Sequence, residues 1–172
     1  LLHPAGVLTF DQVEAAVLNV ARYDVFKLGE AVLAGQVSRA LRMLEGLEAE
    51  GEAAVLVHWT LAEDIRSLKR IKDAMADGKP LPMALKEARV WGIKERLYER
   101  VLPALADHQL AHLVQAASVC DGVIKGLKHP DWPLDPYAAL KRLVLLVMQP
   151  LVSAPGGRAA AAAPKVQLAL QA

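Results

Sequence analysis

Two histidines four residues apart offer the first candidate chemistry. In His108-Gln109-Leu110-Ala111-His112 both imidazoles would share one helical face, a spacing that can hold zinc. The hydrolytic form of this motif needs a glutamate at its second position to activate water. Here that position is Gln109, which cannot take the proton, and no third ligand is evident. Solvated or capping histidines are the simpler reading. Cys120 sits among apolar helical positions and reads as core packing, not as a nucleophile. Glu63 and Asp64 are adjacent, so on a helix they point to different faces and cannot form an acid–base pair. The sequence has no Gly-x-x-x-x-Gly-Lys-Ser/Thr and no Gly-x-Gly-x-x-Gly after a strand. An enzyme active site is not expected from these residues.

Trp132 is a different case. It lies in Lys125-Gly-Leu-Lys128-His129-Pro130-Asp131-Trp132-Pro133, a loop where core packing does not obviously demand it. A flat ring near Lys125 and Lys128 can stack on a nucleic-acid base while the lysines meet phosphate. The alternative is that the ring folds back on its own helices, as most tryptophans do. Trp59 and Trp91, at helical or helix-flanking positions, are assigned to packing.

The elements that must position these residues are helices. Of 172 residues, 54% are hydrophobic and only 5% aromatic, so the core is built of Leu, Val and Ala, a composition that favours helices over strands. From Phe26 to Leu68, apolar residues recur three and four apart, and Gly35 and Gly51 fall where helices would end. Thr9-Phe-Asp-Gln12 fits a capping box that opens a first helix through Val13, Ala16, Val17 and Val20. Asp24 is the expected cap of a second helix, ending near Gly35, and Gln36 or Ser38 starts a third that Gly51 closes. A long fourth helix, from about Glu52 to Ala76, buries Val57, Leu61, Ile65, Leu68, Ile71 or the stem of Lys72, and Met75, with Glu63, Arg66, Arg70 and Asp73 spaced for pairing on its exposed side. Further helices are expected over Pro82 to Val90, over Gly92 to about Leu105 with a kink at Pro103, and from His108 to Lys125 capped by Asp107. A last helix, capped by Asp135, runs from Pro136 to Met148. The expectation is an all-α bundle with Leu44, Leu61, Ile65, Leu68, Leu143 and Val147 buried. Beyond Leu151, Ala154-Pro155-Gly156-Gly157 and the run Ala159 to Ala163 read as a low-complexity tail over 152–172.

Composition also bounds the setting. No apolar run approaches the ~20 residues of a membrane span. The chain has no secretory leader pattern, and its single cysteine excludes an internal disulfide, so a reducing, cytoplasmic setting is expected. It opens on Leu1 and not Met, which reads as a fragment of something longer. Net charge is +1, too little for a surface that grips nucleic acid throughout. The charge is unevenly spread. Asp11 to Asp64 holds ten acidic and four basic residues, a balance of −6, whereas Ile65 to Arg100 holds ten basic and five acidic, a balance of +5. Such a division suits a member of a charged assembly as well as ordinary solvated helix faces.

Taken in order, these residues resemble a known family. Phe26-x-Leu28 through Gly35, Arg39-Ala40-Leu41-x-x-Leu44 with Glu50-Gly51-Glu52, Leu61-Ala62-Glu63-Asp64-Ile65-Arg66, Val90-Trp91, Asp121-x-x-Ile124-Lys125-Gly126 and Tyr137-x-x-Leu140-x-x-Leu143 are similar to the C-terminal part of the delta subunit of the bacterial DNA polymerase III clamp loader. The resemblance covers roughly Thr9 to Leu151, and order and spacing, not any one motif, make it specific. It implies the end of a lid module over residues 1–21 and a helical collar domain over 22–151. It also implies a non-catalytic role and no cofactor. Partners would be the delta prime and tau/gamma ATPase subunits, primer-template DNA through the assembled complex, and the sliding clamp through an N-terminal module not in this sequence. Trp132, Lys125 and Lys128 would be its DNA contact. A free-standing helical regulatory or ligand-binding domain is the alternative, and a metal hydrolase on His108 and His112 a weaker third.

Overall fold

A computed structural model describes residues 9–153, with side chains except at residues 17–23. Among the described residues there are helices and no strands: α1 Phe10–Leu33, α2 Val37–Ala49, α3 Ala54–Ala76, α4 Leu81–Glu87, α5 Ile93–Val101, a 3₁₀ turn over Leu102–Ala104, α6 Asp107–Ile124 and α7 Pro136–Ser153. α3, α6, α7 and the C-terminal half of α1 pack on one another as the core. α2 lies on α1 and α7, α4 on α3, and α5 on α1.

The apolar stripes explain this arrangement. Val57, Leu61, Ile65 and Leu68 of α3 are buried, as are Leu140, Leu143 and Val147 of α7 and Leu110, Leu113, Ala117 and Cys120 of α6. Each repeats at three- or four-residue spacing, which gives one continuous face per helix. Leu44 is buried on α2, so all six expected core residues are inside. Met75 is not; at the last turn of α3 it stands 37% exposed.

The helix ends follow local chemistry. The Thr9 box is formed: the Gln12 amide donates to Thr9 Oγ1 at 3.3 Å, and the Thr9 amide to Gln12 Oε1 at 3.0 Å. Asp135 caps α7 by accepting from the Ala138 amide at 2.7 Å. Asp107 is the first residue of α6 and not its cap. Ala106 holds the cap position, and the Gln109 side chain accepts its amide at 2.8 Å. The 3₁₀ turn replaces the expected kink at Pro103, because proline interrupts the ladder after α5.

Two further expectations are corrected. Asp24 caps nothing: α1 runs unbroken across it, because residues 10–28 contain neither glycine nor proline, and an aspartate without a turn-former beside it does not stop a helix. α7 continues past Met148 through Pro150 to Ser153, entering the span assigned to the tail. Proline there forfeits one backbone bond, which the last turn tolerates while Leu151 stays buried. The alanine run lies outside the described residues.

Candidate interaction surfaces

The structure separates the chemistry-bearing residues. His108 and His112 are both exposed, and no group of three or more potential metal ligands occurs among the described residues. Cys120 is buried, and burial, helped by the Asp121 charge, pushes its thiol up to about 12, far from a reactive thiolate. Glu63 and Asp64 diverge, as adjacency requires. Glu63 points outward to Arg70 at 2.6 Å and Arg66 at 3.3 Å. Burial pushes its carboxyl up, but hydrogen bonds from those arginines outweigh it and hold the group below its ordinary value.

Asp64 points inward. Its Oδ1 accepts from Lys94 Nζ at 2.5 Å and from the buried Tyr98 hydroxyl at 2.8 Å, which ties α5 to α3. Its Oδ2 is buried without a partner among the described residues, and it faces α1 where Gly29 leaves room: a Cβ there would sit 3.0 Å from it. Burial and the neighbouring carboxylate drive the Tyr98 phenol far up, so it stays a donor. Lys94 also lies over the exposed ring of Phe26, 5.9 Å from its centroid. The signal for this cluster was in the sequence, since Asp64 falls three residues after Leu61 on the buried stripe. Its partners, thirty residues away, were not.

A second polar link joins α3 to α6. Buried His58 places Nε2 2.8 Å from the Ala117 carbonyl, and Nδ1 3.7 Å from Asp121. Burial lowers its basicity more than the carbonyl and Asp121 raise it.

The loop between α6 and α7 carries Lys125, Lys128 and Trp132. Lys125 pairs with Asp121 at 2.5 Å, and Lys128 is exposed. Trp132 is half-buried against the core, and the Arg142 guanidinium lies over its ring at 4.9 Å while donating to the Asp131 carbonyl. Arg142, on α7, is a neighbour that no local sequence signal placed there.

Trp59 and Trp91 depart from the packing role expected of them. They are 51% and 63% exposed and line one cleft of about 760 Å³ between α3 and the α4–α5 corner, together with Arg70, Arg89 and Lys94. Periodicity places Trp59 next to a buried residue but not on the buried face, and Trp91 is turned outward by the backbone around it, while Val90 is buried.

The folds and sequences of known proteins can be set beside this geometry. The helical fold is one that a clamp-loader delta protein shares: the chain superposes on the Bacillus subtilis DNA clamp loader delta protein with a TM-score of 0.57 and 15% identity, over 83% of this chain and 40% of that one. In sequence, the chain is similar to the C-terminal part of the DNA polymerase III subunit delta of Escherichia coli, with 31% identity over 147 residues, 86% of this chain. It spans 41% of that relative's length. No protein-family model matches the chain. The resemblance read from residue order is thereby shown, and no helix among the described residues is long and apolar enough to cross a membrane.

Proposed function

We propose that this chain is the C-terminal portion of a clamp-loader delta subunit, in which residues 22–151 act as a collar that holds neighbouring subunits together. The observation that carries this reading is the sequence likeness to the delta subunit over 86% of the chain. The exposed apolar residues support it. Phe10 and Val13 are 81% and 43% exposed on the first turns of α1, a surface that a preceding lid module would cover. The partners in this reading are delta prime and the tau/gamma ATPase subunits, and its setting is the cytoplasm. The sliding clamp would be reached through the module that precedes this segment in the relative. No catalytic step is assigned to the chain.

The test is co-elution. The folded chain should form a complex with clamp-loader subunits at low salt without nucleotide; separate elution from every subunit would reject the reading.

Trp132, Lys125 and Lys128 complete the proposal as a contact to primer-template DNA. Arg142 lies over the ring of half-buried Trp132, and a cation-backed indole is the kind of plate on which bases stack. In the assembled loader, Trp132→Ala should weaken primer-template binding about ten-fold. Unchanged DNA affinity with a lowered melting temperature would make the residue purely structural.

A further inference from the structure

One helix end departs from the glycine closure that four others share. α1, α2, α3 and α6 each terminate with a glycine in the left-handed region, and the amide after it bonds back to the carbonyl five residues earlier, as Glu52 does to Leu47 and Lys79 to Ala74. α4 makes the same closure, with the Val90 amide bonding to the Leu85 carbonyl at 3.1 Å, but its left-handed residue is Arg89, at φ 55°. A side chain at that position costs stability that glycine would not. The strain gains nothing inside the fold, for the Arg89 side chain is exposed and has no hydrogen-bond or carboxylate partner among the described residues. Backbone strain kept without an internal return marks a position held for an external one.

The surroundings say what that partner is like. Arg89 lines the cleft that Trp59 and Trp91 flank. Each carboxylate of the cleft is already engaged: Glu63 by Arg70, Asp64 by Lys94, and Glu87 by Lys79 at 2.5 Å. Those pairs also occupy the lining cations other than Arg89. The uncompensated charge is therefore a single guanidinium beside two exposed indoles. A nucleic-acid strand needs a row of free cations along its backbone, which this cleft lacks. Tryptophan and arginine around a concave, partly apolar surface are the composition of a protein-binding hot spot, and a guanidinium matches a carboxylate in bidentate fashion.

We propose that this cleft is a docking surface for another clamp-loader subunit, which sets an apolar side chain against Trp59 and Trp91 and a carboxylate on Arg89. The inference rests on the delta reading and goes further by naming the surface and its partner's chemistry.

The full chain, its Trp91→Ala variant and its Arg89→Gly variant are titrated separately with each of the other clamp-loader subunits, with a thermal melt of every sample. Arg89→Gly should melt higher than the parent, because it relieves the left-handed strain, and yet bind its subunit on the order of ten-fold more weakly; Trp91→Ala should weaken binding similarly with an unchanged melt. If the parent binds and both variants bind equally well, the docking surface is overturned while the delta reading stands. If the folded parent binds no subunit, the delta reading fails and takes the surface with it. A third arm titrates oligodeoxythymidylate: tight binding by the parent that is lost in both variants would make the cleft a nucleic-acid site and overturn the proposal.

Discussion

Asp64 shows how a single residue sets the local architecture. A carboxylate on a buried stripe is costly unless its oxygens are satisfied. Lys94 and Tyr98 share one oxygen, and the other rests against α1 at Gly29. Tyr98→Phe removes one of these bonds and should cost ~1–2 kcal/mol in denaturant melting; no loss would mean that Lys94 alone satisfies the group. His58 gives the molecule a pH dependence with a definite sign. Its folded-state basicity is depressed by burial, so the unfolded chain takes up a proton first as pH falls. The stability this contributes is present above the ordinary value of 6.5 and is lost as pH drops through the lower folded value. The facing groups are Asp121, which opposes the shift, and Arg66 and Lys125, which add to it. Melting temperature should fall between pH ~7.5 and ~5.5, and by less in His58→Gln. Parallel profiles would remove His58 from the cause. At this scale little was legible from sequence, because polar partners across helices are set by tertiary packing.

At the scale of elements the sequence was far more informative. Spacing located α2, α3, α6 and α7, because each keeps one face apolar for at least three turns, and the glycine ends and the Asp135 cap are local chemistry. The expectations that failed lacked such local determination. Asp24 alone could not break α1, and nothing in residues 89–92 announced that Val90 would go in and Trp91 out. Leu61, 3% exposed on the stripe that α3 presents to the core, tests the packing. Leu61→Ala should cost ~2–5 kcal/mol where the site cannot collapse; a cost near zero would place that face outside the core. Asp135→Ala should cost ~1 kcal/mol through the lost α7 cap, measurable in the same experiment, while Asp135→Asn should restore most of it.

For the whole molecule, the charge division read from sequence falls within α3, between Asp64 and Ile65. α1 holds four acidic and two basic residues, and Glu50 and Glu52 follow α2, whereas α3 beyond Asp64 holds four basic residues to one acidic. On the collar reading, a ring of unlike subunits needs each member to present different edges to its two neighbours, and an uneven charge distribution along the chain would help select them. Association with other subunits should therefore weaken as salt rises. An affinity independent of salt would assign the interface to apolar contacts alone. The most direct measurement of the collar reading is sedimentation velocity of the labelled, folded chain titrated with the tau/gamma and delta prime subunits, in the presence and absence of ATP. Saturable complex formation is predicted with at least one of them, equally strong without nucleotide, and no complex with the sliding clamp alone. A chain that sediments as before with every loader subunit, or that binds only the clamp, would contradict it.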